Sequence, residues 1–332
     1  MTSSIPGDSR EPSGGAVAAD SEACFDVVAL GEPMVEFNQT GGHDGRVYLQ
    51  GFGGDSSNFA IAAARQGARV AYVSALGGDP YGEMLRALWD REGVDHLGVA
   101  TDPEAFTAIY FVTHDAAGHH FHFFRSGSAA SRLKPAQLPR ARIECARLLH
   151  LSGISLAIST QACDTAYAAI EIARAAGVLV SFDTNLRLRL WSIDRARAVM
   201  TDIMRRCDIC LPSLDDVRTI TGLADPDALV DHALGLGARV VALKLGEQGA
   251  IVADANQRHR IAPFPCRPVD ATGAGDTFGG AFVARWLAGD SLLDAGRYAA
   301  AAAALSTQGY GAVEPIPRAD EVRVLLDGQY TR

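Results

Sequence analysis

The stretch VDATGAGDTFGGAF (residues 269–282) places a glycine-rich turn directly before an apolar run with helical spacing. Backbone N–H groups at a helix start are unpaired and lie at the positive end of the helix dipole. Because Gly273, Ala274 and Gly275 are small, an anion can approach these groups closely. The stretch lacks the GxxxxGK(S/T) pattern of a P-loop, so it is typical either of an anion-binding cradle or of an ordinary turn.

Asp276 follows this turn immediately, so its carboxylate can share space with whatever the backbone amides bind. Phosphoryl transfer requires both kinds of group, because N–H donors stabilise charge on the moving phosphoryl group and a base accepts the proton of the attacking hydroxyl. An acidic residue in a first helical turn also stabilises the helix by about 0.3–1 kcal/mol. The two interpretations of Asp276 are compatible, and together they favour a phosphoryl-transfer site.

The composition limits the class of protein. The chain has 332 residues, 48% of them hydrophobic, which suits one large α/β domain or two smaller ones. A formal net charge of -9 argues against a nucleic-acid-binding protein, and no apolar run approaches the roughly 18 residues of a membrane span. Residues 1–23 are rich in Ser, Gly, Pro and Ala and lack the apolar centre of a signal peptide, which predicts a disordered leader before a domain at 24–332.

Six scattered cysteines favour free thiols and a cytoplasmic location. Cys207 and Cys210, in CDIC, have the spacing of a redox or metal motif, but the sequence has no second CxxC. We expect both to be buried thiols on opposite faces of one strand, because side chains alternate along a strand.

Strand-like and helix-like segments alternate along most of the chain. Helical patterns separate buried strands such as CFDVVALG, RVAYVSALG, VLVSFDTN and RVVALKLG, which predicts a mostly parallel sheet with helices on both faces. Sites in such sheets lie at the carboxyl ends of the strands, so we expect one rim to contain the ends ALGEP, SGI, FDTNLR, LPSLDD and KLGEQG. Two segments with β character, about 35–52 and 100–125, interrupt the alternation, and we expect them to pair as a small sheet that serves as a lid over the rim.

Four histidines cluster in the second of these segments, which has the pattern of a hairpin: His114, His119, His120 and His122. His120 and His122 share one face, which leaves two interpretations, a metal site or a solvated or interface strand. The second is favoured, since Asp115 is the one carboxylate close by in sequence and no Cys is near. Exposed strands in this segment also make a homodimer through the lid a hypothesis.

Two long motifs resemble the signatures of the PfkB/ribokinase family of sugar kinases. DATGAGDTF is similar to the C-terminal signature, and GGDSSNFAIAAARQGARVAYVSALGGDPYG (residues 53–82) resembles the N-terminal glycine signature. The likeness continues through VALKLGEQGA and covers nearly everything after the leader. The chain most resembles 2-keto-3-deoxygluconate kinases, through GEP after the first strand, FFRSGSA and DTNLRLRLW. The resemblance implies a ribokinase-like α/β fold and a kinase that uses ATP and Mg²⁺.

The resemblance also implies roles for individual residues. Asp276 would be the catalytic base, and Gly273, Ala274 and Gly275 would form the anion hole. The positions implied to contact the sugar are Gly53, Gly54, Asn58, Tyr110, Phe123, Arg125 and Arg187. The positions implied to lie along the nucleotide are Lys244, Gly246, Gly249, Gly273 and Gly275.

Arg125 and Arg187 bear on the choice of substrate. A 2-keto-3-deoxy acid carries a carboxylate, which guanidinium groups bind well and often through two hydrogen bonds. A neutral hexose would not need two cations, and either arginine could otherwise be an ordinary surface residue of a loop. The sequence therefore predicts phosphorylation of a terminal hydroxyl of a sugar acid, with 2-keto-3-deoxygluconate as the expected substrate.

Several positions depart from the family pattern. Phe123 stands where acid-sugar kinases often have Tyr, which removes one hydroxyl contact, and TQGYGAVEP lacks an acidic residue that some of them have before it. SLDD replaces the usual Asn-x-x-Glu, so Asp216 is expected to hold Mg²⁺ through water with a shorter reach. The family counterpart of Asp270 can hold a monovalent cation, and here a K⁺ site and a simple turn cap both stay open.

The sequence leaves two other functions open and disfavours a third. The same fold serves kinases of neutral sugars, such as fructokinases and ribokinases. SLDD leaves open a nucleotide- or sugar-binding protein without catalysis. A dehydrogenase is disfavoured, because its GxGxxG should follow the first strand, which here ends in ALGEPM.

Overall fold

The computed structural model describes residues 24–40, 45–115 and 118–330, so the predicted leader at 1–23 lies outside the described residues. The strands are β1 (Phe25–Leu30), β2 (Met34–Gln39), β3 (Tyr48–Gly53), β4 (Val70–Val73), β5 (Ala75–Gly77), β6 (Val94–Asp95), β7 (Ala100–Asp102), β8 (Ile109–Asp115), β9 (Gly118–Phe124), β10 (Ala146–Ser152), β11 (Leu179–Asp183), β12 (Ile209–Cys210), β13 (Val240–Lys244), β14 (Ala250–Ala253) and β15 (Arg258–Ile261). The helices are α1 (Asp55–Arg65), α2 (Pro80–Glu92), α3 (Arg140–Glu144), α4 (Gly153–Ala157), α5 (Thr160–Ala175), α6 (Ile193–Met204), α7 (Leu214–Thr221), α8 (Pro226–Leu236), α9 (Ala274–Leu287), α10 (Leu292–Ser306) and α11 (Ala319–Tyr330).

The large sheet contains nine of these strands in the order β15-β14-β13-β12-β11-β10-β1-β4-β6. β1 pairs in parallel with β10 and β4, and parallel pairing continues from β10 through β11 and β12 to β13. β13 pairs antiparallel with β14, and β14 and β15 form an antiparallel hairpin. The mostly parallel sheet is confirmed, and the carboxyl ends of β1, β10, β11, β12 and β13 meet at one rim.

Helices cover both faces of the sheet because side chains alternate along each strand. Val27 and Ala29 of β1 belong to a hydrophobic cluster with residues of α1, α9 and α10, whereas Val28 and Leu30 belong to a second cluster with residues of α5 and α6. α1 and α9 lie unusually close together. A β-carbon added at Gly280 of α9 would come within 2.4 Å of the main-chain oxygen of Phe59 in α1.

The small sheet has the order β3-β2-β8-β9. Its strands come from both predicted β segments, and β2 joins them through a parallel ladder with β8. One boundary differs from the expectation of residues 100–125, because Ala100–Asp102 pairs with Ala75–Gly77 and lies outside the small sheet. The ring of Phe37 in β2 contacts Tyr81 of α2 at a centroid distance of 5.9 Å, so the small sheet is anchored to the main body.

The CDIC segment folds differently from the prediction of one strand. The strand covers only Ile209–Cys210, while Cys207 follows α6. Both thiols are buried and free, and a hydrogen bond with Cys210, together with burial, raises the pKa of Cys207 well above its usual value. Both residues belong to the same hydrophobic cluster as Val28 and Leu30, so the two thiols lie on one face of the sheet instead of on opposite faces. In the described part of the chain, none of the helices is long and apolar enough to cross a membrane.

Candidate active site

Asp276 lies in the first turn of α9, after the N-cap residue Gly273, whose φ of 75° is left-handed. Nδ2 of Asn58 in α1 donates a 2.8 Å hydrogen bond to Oδ2 of Asp276, although the two residues are 218 positions apart. The close approach of α1 and α9 makes this contact possible. Both residues belong to the motifs that the sequence analysis selected, and the structure brings the two motifs together.

Burial raises the pKa of Asp276 to about 8, and the negative charges of Asp55 and Asp183 add to this shift. The hydrogen bond from Asn58 and the positive charge of Lys244 act in the opposite direction. A general base works best when its pKa lies near the working pH. Asp276 is therefore better suited than an ordinary aspartate to accept the proton of a hydroxyl group.

The start of α9 combines main-chain donors with one cation. Gly273, Ala274 and Gly275 open the helix, so their N–H groups include those that have no partner within it. A β-carbon added at Gly275 would lie 3.5 Å from Nζ of Lys244, and this Nζ forms an ion pair with the buried carboxylate of Asp183 at the end of β11. Amide groups and a lysine charge can therefore act on the same anion.

Three of the residues predicted to contact the sugar meet in the small sheet. A β-carbon added at Gly53 would lie 2.4 Å from the phenol oxygen of Tyr110, so glycine is required there. Tyr110 pairs with Phe123 across β8 and β9, and their ring centroids are 5.5 Å apart. The phenol donates a hydrogen bond to buried Glu36. Burial and the charge of Glu36 raise the pKa of Tyr110 well above its usual value, with a smaller contribution from Asp276.

Arg125 follows β9 and forms an ion pair with Glu32, whose side chain is fully buried. Oγ of Ser128 donates a 2.8 Å hydrogen bond to Oε1 of Glu32, and Cζ of Arg125 lies 5.5 Å from the centroid of the Phe123 ring. Arg125 is predicted to bind the carboxylate of the substrate, and in the structure Glu32 compensates its charge. Nε of Arg125 is buried and has no hydrogen-bond partner among the described residues, so one donor of the guanidinium is unused.

Arg187 lies in the loop after β11 and is exposed. Its Nη1 donates a 2.9 Å hydrogen bond to the main-chain oxygen of Leu186. Within residues 24–40, 45–115 and 118–330, no carboxylate forms an ion pair with Arg187. The two predicted arginines therefore differ in charge balance, since one is compensated by a buried carboxylate and the other is not.

The predicted nucleotide glycines lie in turns at the same rim. Gly246 begins a short 3-10 turn between β13 and β14, and Gly249 follows that turn. The N–H of Leu245 donates a 2.8 Å hydrogen bond to the oxygen of Gly249 and closes the segment. Gly54, predicted to contact the sugar, is the N-cap residue of α1. Contact of these glycines with a ligand stays a prediction.

Asp216 lies in the first turn of α7, and its Oδ2 accepts two hydrogen bonds. Oγ1 of Thr184 donates one at 3.0 Å, and the N–H of Leu186 donates the other at 3.1 Å. Across the described residues there is no group of three or more His, Cys, Asp or Glu side chains that could hold a metal ion. Mg²⁺ carried on nucleotide phosphates requires only one or two protein carboxylates, so the residues present are compatible with the predicted role of Asp216.

The side chain of Asp270 caps a turn and also accepts a hydrogen bond from the loop that contains the GYGA segment. Its Oδ1 accepts hydrogen bonds from the N–H and Oγ1 of Thr272 at 2.9 and 2.6 Å. Its Oδ2 accepts a 3.0 Å hydrogen bond from the N–H of Gly311 in the GYGA segment. The turn-capping role is present, and the monovalent cation stays a prediction.

The histidines of the β8–β9 hairpin bond to separate partners. Nε2 of His114 lies 2.8 Å from Oδ1 of Asn38, and Nε2 of His122 lies 3.0 Å from Oγ1 of Thr113. Nε2 of His120 lies 3.0 Å from Oδ2 of Asp115. These contacts favour the interpretation of a polar strand over a metal site.

Sequence reasoning did not select five buried polar residues that the structure adds to this region. They are Glu32, Glu36, Asp55, Asp183 and Asn185. Glu32, Asp183 and Asn185 lie in the quoted motifs GEP and DTNLR. Asp183 is the last residue of a buried strand, and the other two each come two residues after the end of one. That position at the end of an apolar strand is the signal that could have identified them.

Comparisons with known proteins agree with this geometry. The model of the pfkB family carbohydrate kinases matches residues 25–319. Fructokinase-2 of Solanum habrochaites is 33% identical over 319 residues, which cover 91% of this chain and 96% of that protein. A 2-dehydro-3-deoxygluconokinase of Bacillus subtilis is 33% identical over 315 residues, which cover 92% and 97%. A protein of E. coli designated ribokinase II, solved in complex with ATP and Mg²⁺, has a TM-score of 0.85 at 27% identity and covers 91% of this chain and 99% of its own.

These likenesses extend over almost the whole described chain. They identify a sugar kinase with a ribokinase-like fold and an ATP site, and they do not favour a dehydrogenase or a non-catalytic binding protein. The chain belongs to the pfkB family of carbohydrate kinases.

Proposed function

We propose that this sugar kinase transfers the γ-phosphoryl group of ATP to a terminal hydroxyl of a sugar acid, of the 2-keto-3-deoxygluconate type. The observation that carries the proposal is the uncompensated charge of Arg187, exposed in the loop after β11. A guanidinium without a carboxylate partner is well suited to bind the carboxylate of a substrate. The 2-dehydro-3-deoxygluconokinase of Bacillus subtilis among the relatives supports the same class of substrate.

In the proposed reaction Asp276 accepts the proton of the substrate hydroxyl. The hydroxyl oxygen forms a bond to the γ-phosphorus, and the bond from that phosphorus to the bridging oxygen of ADP breaks. The N–H groups at residues 273–276 and the Nζ of Lys244 stabilise the charge of the moving phosphoryl group. Mg²⁺, when bound, supplies further neutralisation of phosphate charge, and Asp216 would hold it through water.

We also propose roles for the small sheet and for Asp270, and a location for the protein. The small sheet would close over the sugar as a lid and exclude water, and its exposed strands would pair two copies of the chain. Asp270 and the GYGA loop would hold K⁺. Free thiols, buried or exposed, favour a cytoplasmic location.

A neutral sugar is the second candidate substrate. Glu32 compensates the charge of Arg125, so of the two arginines predicted to bind the acid group, Arg187 alone has no carboxylate partner among the described residues. The fructokinase among the relatives also favours this alternative. The decision between the two candidates depends on what Arg187 contacts.

The test is an ADP-release assay with 2-keto-3-deoxy acids, ketohexoses and pentoses, each with and without K⁺, on wild type, Arg187→Ala and Arg189→Ala. Arg189 is the matched control, because it is exposed in the same loop. We expect turnover of a keto-deoxy acid, and Arg187→Ala should raise the KM for it by about 10- to 100-fold, since a hydrogen bond between charged groups contributes about 1.5–3 kcal/mol. Turnover of neutral sugars alone, with equal KM in the two variants, would refute the acid substrate.

A further inference from the structure

The loop at residues 183–187 connects three parts of the active site. Asp183 forms the ion pair with Lys244 beside the start of α9. Nδ2 of Asn185 donates a 3.0 Å hydrogen bond to Oδ2 of Asp55, one of the charges that raise the pKa of the base. Arg187 is the uncompensated cation of the proposed sugar site. A shift of this loop would therefore disturb sugar binding first and the base second.

The loop has a strained backbone at its centre. Asn185 has a φ of 30°, and it is the one non-glycine residue with positive φ in the described ranges of the chain. Such a conformation is unfavourable for a residue other than glycine and persists only where its surroundings fix it. Within the loop, the N–H of Asn185 donates a 3.2 Å hydrogen bond to Oδ1 of Asp183, and the two neighbours of Asn185 are held from outside the loop.

Asp216 makes that contact from α7. Its Oδ2 accepts hydrogen bonds from the side chain of Thr184 at 3.0 Å and from the main chain of Leu186 at 3.1 Å, so it holds the two neighbours of Asn185. Oγ1 of Thr184 in turn accepts a 3.3 Å hydrogen bond from the N–H of Ser213, the N-cap residue of α7. The start of α7 and the strained loop are thus joined by direct contacts that involve neither nucleotide nor metal.

We propose that Asp216 is a positioning residue for the sugar site, because it fixes the loop that presents Arg187. This role needs an acceptor oxygen at one place and does not need a negative charge. A role in holding Mg²⁺ needs the charge and tolerates a longer side chain, as in the Asn-x-x-Glu pattern of the family. The two roles therefore predict opposite rankings of substitutions. The inference rests on the proposed sugar site, because it acts through Arg187.

The experiment compares Asp216→Asn, Asp216→Glu and Asp216→Ala with the control Asp215→Ala, which removes a charge from the same turn of α7 at an exposed position. The probe is the sugar that the wild type phosphorylates fastest. Its dissociation constant is measured by calorimetry without ATP or Mg²⁺, and its KM, the KM for ATP and the Mg²⁺ dependence are measured in the assay. Because no metal is present in the calorimetry, a metal role cannot change that result.

If Asp216 positions the loop, Asp216→Asn keeps sugar binding within about threefold of wild type, since an amide oxygen accepts the same hydrogen bonds. Asp216→Ala weakens sugar binding at least about tenfold, because two donors lose their acceptor, and Asp216→Glu is worse than Asp216→Asn. The inference is wrong if sugar binding is unchanged in Asp216→Ala, or if Asp216→Glu binds sugar like wild type while Asp216→Asn does not. Turnover of neutral sugars alone would refute the proposed acid substrate. The two results named above would refute the positioning role of Asp216 by themselves.

Discussion

Two parts of the proposed site differ in how their charges are balanced before any substrate binds. One is the start of α9, and the other is the sugar side of the rim. At the start of α9, Asp276 lies among further carboxylates with Lys244 as the nearby cation, and its pKa is raised to about 8. On the sugar side, Arg125 is compensated by Glu32 and Arg187 is not. In the proposed reaction, the excess of negative charge at the start of α9 raises the pKa of the base, and the positive charge of Arg187 binds the acid group of the substrate. Catalysis and substrate choice can therefore be tested separately.

The largest effect is expected for Asp276→Asn, which removes the base and keeps the size of the side chain. We expect kcat to fall about 10²- to 10⁴-fold, the usual contribution of a general base, while the KM of the sugar changes little. The control is Asp164→Asn, at an exposed position of α5, and the measurement is steady-state ADP release. Turnover near that of wild type would remove Asp276 from the mechanism.

A large effect on stability is expected for Glu32→Gln on the sugar side. The change leaves the guanidinium of Arg125 without a compensating charge, and breaking a buried ion pair costs about 3–5 kcal/mol. Glu144→Gln is the matched control, because the Arg140–Glu144 pair is exposed and should contribute at most about 1 kcal/mol. Denaturant unfolding measures both losses.

The Glu32→Gln variant also tests whether Arg125 faces the substrate. In Glu32→Gln, an anionic sugar should raise the melting temperature more than it does in wild type, since its carboxylate can compensate Arg125, whereas a neutral sugar should not. The double variant Glu32→Gln with Arg125→Met removes both charges and should recover stability. Equal melting-temperature shifts with acid and neutral sugars would show that Arg125 does not face the substrate.

Glu32 also shows where sequence reasoning reaches its limit. The order of strands and helices followed from hydrophobic patterns. The proposed site at the start of α9 could be selected from the sequence, because Gly273, Ala274, Gly275 and Asp276 are contiguous. The ion pair between Glu32 and Arg125 joins residues far apart in the chain, and such pairings are set by tertiary packing. The positive φ of Asn185 could not be predicted for the same reason, since nothing in DTNLR alone requires it.

A smaller effect is expected in the pH dependence of kcat/KM. Below the pKa of Asp276, this quantity should change about tenfold per pH unit. Because burial raises the pKa of Asp276 to about 8, the free enzyme is mostly protonated there at pH 6 and mostly ionised at pH 9. The value of kcat/KM, which reports the free enzyme, should therefore rise with pH and level off above about 8. Asp276→Asn should lack this rise, and a flat wild-type profile between pH 6 and 8 would contradict the raised pKa.

The raised pKa has an opposite consequence for stability. An acid whose pKa is higher in the folded than in the unfolded state binds more protons when folded, so its contribution to the free energy of unfolding falls as pH rises from about 4 to about 8. Asp276→Asn has no such group. Its melting temperature should match that of wild type near pH 4 and exceed it increasingly towards pH 8, and a constant difference across this range would contradict the direction of the shift.

The smallest effect is expected for Phe123→Tyr on the small sheet. Phe123 lies opposite Tyr110 and under Arg125, and it is 43% exposed, so a new hydroxyl can reach a ligand without being buried unpaired. One added hydrogen bond contributes about 0.5–1.5 kcal/mol, so the sugar KM should fall about 2- to 10-fold. Phe124→Tyr is the control, because the next residue of a strand faces the other side of the sheet. Similar KM values in both variants would mean that this face of the small sheet does not border the sugar, and specificity would then depend on the loop of Arg187 alone.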